Sequence, residues 1–188
     1  MTLDELLRLA GDVTKHVGDR PFAWQVDPRV TRPDVLAFDL AAEGAYAYLG
    51  ARHRAAGDVH APEARIDQGW AARIVALLTW AVERSATDGQ RLVVVVEDTH
   101  LGSAARTPLA FAAVTRYGAA VAALCAERGL AMVRVPAQAW QSRILGKIRR
   151  DQGKQLSVAV ARRRFGGLIT TDHVADAALL ALFVRGGN

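Results

Sequence analysis

Leu92-Val93-Val94-Val95-Val96, five consecutive aliphatic residues of which four are β-branched, constrain this chain more than any other stretch. A strand apolar on both faces has no side to show to water, so it belongs inside a sheet with both faces covered. The neighbouring sequence supplies the covers. Trp70, Ile74, Leu77, Leu78, Ala81 and Val82 recur at helical spacing up to the stop signal Asp88-Gly89. A second helix starts at Thr107-Pro108, an N-cap and first-turn pair, and runs to Gly129. Residues 130–135 form the next strand, ended by Pro136. The fold class that follows is α/β.

Residues 35–40 read as an earlier strand in which the two-residue period puts Val35, Ala37 and Asp39 on one face. Gly44 turns the chain into a second strand, residues 45–52. After the turn signal Ala56-Gly57-Asp58 a weaker third strand is expected near residues 60–66, completing an antiparallel meander. Residues 143–154 are basic and contain Gly146 and Gly153, which predicts a loop or frayed element leading into a helix over residues 154–164, broken by Gly166-Gly167. The last helix, residues 172–184, is apolar nearly all round and is expected to be buried. Residues 1–34 read as an extension: Thr2 and Glu5 can cap a short helix striped by Leu3, Leu6, Leu7, Ala10 and Val13, and Pro21, Pro28 and Pro33 follow. Residues 35–188 form the main domain.

Composition narrows the class. A chain of 188 residues that is 51% hydrophobic but only 6% aromatic can bury one sizeable aliphatic core. Cys125 is the lone cysteine, lies among Ala and Leu, and reads as a small buried hydrophobe, which excludes a disulfide framework or a cysteine metal site. The first residues carry acids where a signal peptide needs positive charge, and no apolar run approaches the roughly 20 residues of a membrane span. A soluble, intracellular protein, cytoplasmic or nucleoid-associated and without a membrane partner, is expected. Between Arg143 and Arg164 stand eight Lys or Arg residues against the single acid Asp151, a clustering that suits a polyanion.

Against this apolar background three acids stand out: Asp39, Glu97 and Asp176, each at the end of an apolar segment. Buried runs carry carboxylates only where something offsets their desolvation, and a shared divalent cation does so when several acids converge. His173 and Asp176 are three apart, and Asp172 and Asp176 four apart, so each pair projects from one helical face. Singly, Asp39 could cap a turn, Glu97 could be a surface acid, Asp172 could serve the helix dipole and Asp176 could pair with a buried hydroxyl. Together they are better explained by convergence. Two or three clustered carboxylates cannot all ionise without a cation. Mg²⁺ or Mn²⁺ suits such oxygen ligands, and two ions about 4 Å apart activate water and stabilise a leaving 3′ oxygen. Phosphodiester hydrolysis is the chemistry expected, with histidine as a ligand favouring Mn²⁺.

The order of these elements resembles the RuvC-like Holliday junction resolvases of the ribonuclease H superfamily. A strand with Asp39 is followed by a hairpin, a helix, a strand ending in Glu97, a helix, a strand, a basic segment and a closing helix bearing His173-Val174-Ala175-Asp176-Ala177. That ending looks like the family's closing (D/H)xxDA helix, and the run from Pro136 through Gly146 to Lys154-Gln155-Leu156 is similar to its proline, glycine and lysine-glutamine segment. The resemblance covers about residues 35–185. It departs after Asp39, where the family commonly has proline and glycine and this chain has Leu40-Ala41-Ala42-Glu43-Gly44.

What the resemblance implies is specific. The fold would be ribonuclease H-like, a five-stranded mixed sheet flanked by helices. Asp39, Glu97, His173 and Asp176 would hold two Mg²⁺ or Mn²⁺ ions, with Asp172 the alternative to His173, and Lys154 would bind the scissile phosphate. Arg143, Lys147, Arg149, Arg150 and Lys154 would contact phosphates flanking the cut. A homodimer would cut four-way DNA junctions by paired nicks, since a twofold substrate asks for a twofold enzyme. The rival readings are a related nuclease acting on flaps, forks or RNA, and a silent nucleic-acid-binding module. Phe111, Tyr117 and Trp140 could wedge into a junction, although aromatic residues at helical spacing more often belong to the core. His16, His53 and His60 show no ligand spacing, while His100, three residues after Glu97, could reach the site.

Overall fold

The computed structural model describes residues 32–40, 43–60, 68–98, 108–146 and 152–186. The extension up to residue 31 lies outside them, as do His100, Lys147, Arg149 and Arg150. Five strands form one sheet: β1 (Asp34–Asp39), β2 (Glu43–Leu49), β3 (Arg54–His60), β4 (Leu92–Asp98) and β5 (Ala131–Pro136), in the order β3-β2-β1-β4-β5. The first three pair antiparallel as a meander, whereas β1 with β4 and β4 with β5 are parallel. The sheet is therefore mixed, with β4 interior, as its unbroken aliphatic run requires.

Among the described residues five α-helices flank it: α1 (Gln68–Thr87), α2 (Pro108–Glu127), α3 (Ala137–Ile144), α4 (Gly153–Phe165) and α5 (Asp172–Arg185). Gly89 and Gly129, at φ 64° and 63°, end α1 and α2 in the left-handed conformation and turn the chain into β4 and β5. The sheet divides the core in two. On one face Leu36, Phe38, Tyr48, Val94 and Val96 pack with Trp70, Ile74 and Leu78 of α1 and with Tyr117, Val121 and Leu124 of α2. On the other, Val35, Ala37, Ala45, Ala47, Val93 and Val95 pack with α5 and with Trp140, Ala161 and Phe165.

The second face is lined by small side chains on both partners. Ala175, Ala177, Ala178 and Ala181 of α5 are fully buried in the same cluster as Ala37, Ala45 and Ala47 of β1 and β2. Methyl groups on both sides let the helix axis approach the sheet closely, so short polar side chains at the helix end can reach those at the strand ends. Among the described residues no single helix is long and apolar enough to cross a membrane. The apolar circumference of α5 is accounted for by its place in the core.

Two expectations need correction. The third strand is not at residues 60–66: Ala56-Gly57-Asp58 lies inside β3, and Gly57 pairs with Tyr46. A Cβ on Gly57 would meet the Tyr46 ring at 3.2 Å, so the glycine gives room to a cross-strand aromatic and makes no turn. Of the basic stretch 143–154, expected as a loop or frayed element, Arg143 and Ile144 instead close α3, a helix with no sequence expectation that forms around the buried Trp140, and Gly153 and Lys154 open α4, while residues 147–151 lie outside the described residues.

Leu179, fully buried on α5, tests this packing. Leu179→Ala should cost about 2–5 kcal/mol in urea unfolding, whereas Val82→Ala on the exposed side of α1 should stay within about 0.5 kcal/mol.

Candidate active site

The parallel register of β1 and β4 brings the acids together. Val35 lies beside Val93, Ala37 beside Val95 and Phe38 beside Val96, so the next step places Asp39 and Glu97 side by side at the strands' carboxyl ends. Strand alternation puts both on the α5 face. The first turn of α5 arrives at the same place. Thr171 caps that helix by accepting from the Val174 amide at 3.2 Å, and its hydroxyl donates to Asp58 Oδ1 at 3.3 Å. Asp58 shares its sheet row with Ala45 and Asp39, so the cap ties the start of α5 to β3.

The acids meet specific partners. His173 Nδ1 and Asp39 Oδ2 are 2.8 Å apart, joining α5 to β1. Lys154 Nζ donates to Asp172 Oδ2 at 2.6 Å, joining α4 to α5 on the exposed rim. Trp140 Nε1 donates to Glu97 Oε2 at 3.0 Å, joining α3 to β4. Ser157, buried on α4, donates to Asp176. His173 and Asp172, alternatives in the sequence, thus have different neighbours: His173 faces Asp39, and Asp172 faces Lys154. Arg143 is exposed at the last turn of α3 and Lys154 is exposed at the first turn of α4. Tyr117 and Trp140 are buried and not available as wedges; Tyr117 stacks on Trp70 with ring centroids 5.0 Å apart. His53 is exposed.

The electrostatics follow from this geometry. Burial, reinforced by Asp39, pushes the Asp176 carboxyl up to about 6, against the opposing Ser157 hydrogen bond. The hydrogen bond to Asp39 raises the His173 imidazole above its usual value, with burial opposing. The Lys154 contact holds Asp172 below the usual carboxylate range and in turn raises Lys154. Several acids thus crowd the amino-terminal end of one helix, and Asp176 is the one that resists ionisation.

A divalent cation fits this donor set by its chemistry, since carboxylate oxygens and one imidazole suit Mg²⁺ or Mn²⁺ and a cation would relieve the Asp176 carboxylate. As they stand, no three His, Cys, Asp or Glu side chains among the described residues are arranged to grip one ion. Asp39 and His173 face each other, so binding an ion would exchange that contact for metal contacts. Sequence reasoning missed three supporting groups: Trp140, Ser157 and Asp58. Only Asp58 carried a signal, since alternation along β3 puts it on the α5 face, but the adjacent glycine masked it.

The sheet order, its mixed pairing and the helices on both faces form the ribonuclease H-like fold of the RuvC-like resolvases. Thermus thermophilus RuvC superposes with a TM-score of 0.51 at 17% identity, over 79% of this chain and 91% of that one. In its complex with a Holliday junction substrate the T. thermophilus protein gives a TM-score of 0.54 at 14% identity, over 80% of this chain and 90% of that one. The yeast mitochondrial Holliday junction resolvase Ydc2 aligns at 16% identity over 97% of this chain and 84% of its own, with a TM-score of 0.48. No family model and no curated protein matches the chain.

The raised Asp176 carboxyl has a measurable consequence without metal. Its folded pKa of about 6 exceeds the ordinary 3.8, so the folded state holds the proton more tightly and stability falls as pH rises through that window. At about 1.4 kcal/mol per pH unit the loss approaches about 3 kcal/mol. Urea unfolding in EDTA between pH 4.5 and 7.5 should show this slope in the wild type. Asp176→Asn should remove the fall below about pH 6.5, leave the further fall that the raised His173 imidazole gives above it, and be the more stable protein at pH 7.5.

Proposed function

We propose that this chain is a metal-dependent, structure-selective endonuclease that resolves four-way DNA junctions by paired phosphodiester hydrolysis. The observation that carries the reading is the convergence of Asp39 and Glu97, on adjacent parallel strands, with the end of α5 that bears His173 and Asp176. The shared fold with RuvC, one of whose structures holds a Holliday junction substrate, supports the choice of branched DNA.

In this reading Asp39, Glu97, His173 and Asp176 hold two Mg²⁺ or Mn²⁺ ions, which supply Lewis-acid stabilisation and an activated water. Burial keeps these acids poorly solvated, so they favour a cation over water. Lys154, on the exposed rim, trades its bond to Asp172 for the scissile phosphate. Arg143 extends the phosphate-binding surface from α3, and Lys147, Arg149 and Arg150 continue it in sequence. Two copies of the chain act on one junction, matching its twofold symmetry.

The deciding experiment is nicking of a synthetic immobile four-way junction beside linear duplex, flap and fork substrates, with Mg²⁺, Mn²⁺ or EDTA. The reading expects symmetric metal-dependent cuts confined to the junction, reduced more than about 100-fold by Asp176→Asn, beyond the usual cost of disturbing only a ligand's neighbours. Equal cutting of duplex or flaps would make the protein a broader nuclease, and tight binding without cutting would make it a binding module. Lys154→Ala should slow cleavage while leaving Mn²⁺ binding, followed by calorimetry, within about threefold; equal loss of both would place Lys154 in the metal shell instead.

A further inference from the structure

Trp140 donates a hydrogen bond into the acid cluster, and its environment is unlike that of a core tryptophan held by packing alone. It is fully buried, among Val135, Phe165 and the residues of α5, yet its indole nitrogen emerges at the half-buried edge of the site and donates to Glu97 Oε2 at 3.0 Å. Glu97 stands near the end of β4 on a flexible side chain of several rotatable bonds. Asp39, by contrast, has a shorter side chain and is met by His173. An indole N–H is a neutral donor that cannot titrate, and here the ring that carries it is fully buried, which restricts its movement. A donor fixed in this way restricts which rotamers the carboxylate adopts and leaves the charge on it.

We infer that Trp140 is a positioning residue: its N–H fixes the Glu97 carboxylate in the orientation that a divalent ion requires, and its ring anchors α3, the helix that presents Arg143, to the same acid. The inference rests on the metal-binding reading of the site. It adds to that reading a group that touches neither ion nor DNA. Outer hydrogen bonds to ligating carboxylates typically change metal affinity 10- to 100-fold when removed, and Trp140 should fall in that range. The ring also spans the core between β5 and α5, so loss of packing must be separated from loss of the N–H. Phe165→Leu perturbs the same core cluster at a side chain with no polar atom to offer Glu97, and provides the comparison.

The test combines metal titration with a metal-free spectroscopic signature. The chain has four tryptophans, giving four indole N–H resonances in a ¹⁵N correlation spectrum. In EDTA, Glu97→Gln should move the Trp140 resonance and leave that of Trp80, on the opposite side of the sheet, in place. In calorimetry, Trp140→Phe should weaken Mn²⁺ binding at least about tenfold, with Phe165→Leu close to wild type at comparable loss of thermal stability. In a Glu97→Gln background, Trp140→Phe should have no further effect on Mn²⁺ binding. An indole resonance indifferent to Glu97→Gln would overturn the contact. A responsive resonance with unchanged Mn²⁺ affinity in Trp140→Phe would overturn the positioning role alone. A wild-type protein that binds no Mn²⁺ would overturn the metal reading together with the inference.

Discussion

Helix α5 is fastened to strand β1 at both ends, and the placement of the acids depends on it. His173 meets Asp39 at the carboxyl end of the strand. At the other end Arg185 approaches Asp34 to 3.8 Å and donates to the Gly50 carbonyl. The lengths match: five strand steps cover about 17 Å and the twelve helical steps between His173 and Arg185 cover about 18 Å. The helix therefore lies antiparallel along β1 like a rung-length brace. Asp34 is itself buried and saturated, taking the Tyr48 hydroxyl at 2.7 Å and the Ala51 amide at 2.8 Å. A buried ion pair adds little net stability, yet removing one partner strands the other. Its effect here is on register: the far anchor fixes how far along the sheet α5 sits, and so where His173 and Asp176 stand.

The chemistry of the cluster grows from the same arrangement. Each of four acids has a donor from a different element or turn: His173 for Asp39, Trp140 for Glu97, Lys154 for Asp172 and Ser157 for Asp176. Two of these donors are cationic or can become so, and two are neutral. The acid left with only a hydroxyl is Asp176, which is the one whose carboxyl rises to about 6. Where local hydrogen bonds compensate a carboxylate least, an external cation gains most by binding. The unevenness of the pairing therefore points inward, to the helical face behind Asp39.

Much of this was legible in the residues. The aliphatic run of β4 announced an interior strand, and alternation along residues 35–40 put Asp39 on the face where α5 was found. The spacing of His173 and Asp176 gave one helical face before any neighbour was known. What failed to show had physical reasons. Strand β3 hid behind Ala56-Gly57-Asp58, whose composition suits a turn, because the need for a glycine came from Tyr46 on the neighbouring strand. Helix α3 has one buried residue, Trp140, and a single anchor leaves no period to detect. Ser157 and Trp140 are neutral donors among apolar neighbours, and their role exists only once three elements are folded together.

The methyl-lined seam between α5 and the sheet sets the mechanical tolerance of the whole centre. Ala37, Ala45 and Ala47 on one side and Ala177, Ala178 and Ala181 on the other act as a spacer one methyl group thick. A larger side chain anywhere along this seam would lift the brace off its strand and open the gap between Asp39 and His173, with every polar group still present. Substitutions that disturb the acid cluster should thus spread along an entirely apolar surface well away from the acids themselves, and a map of damaging changes would trace the seam as clearly as it traces the carboxylates.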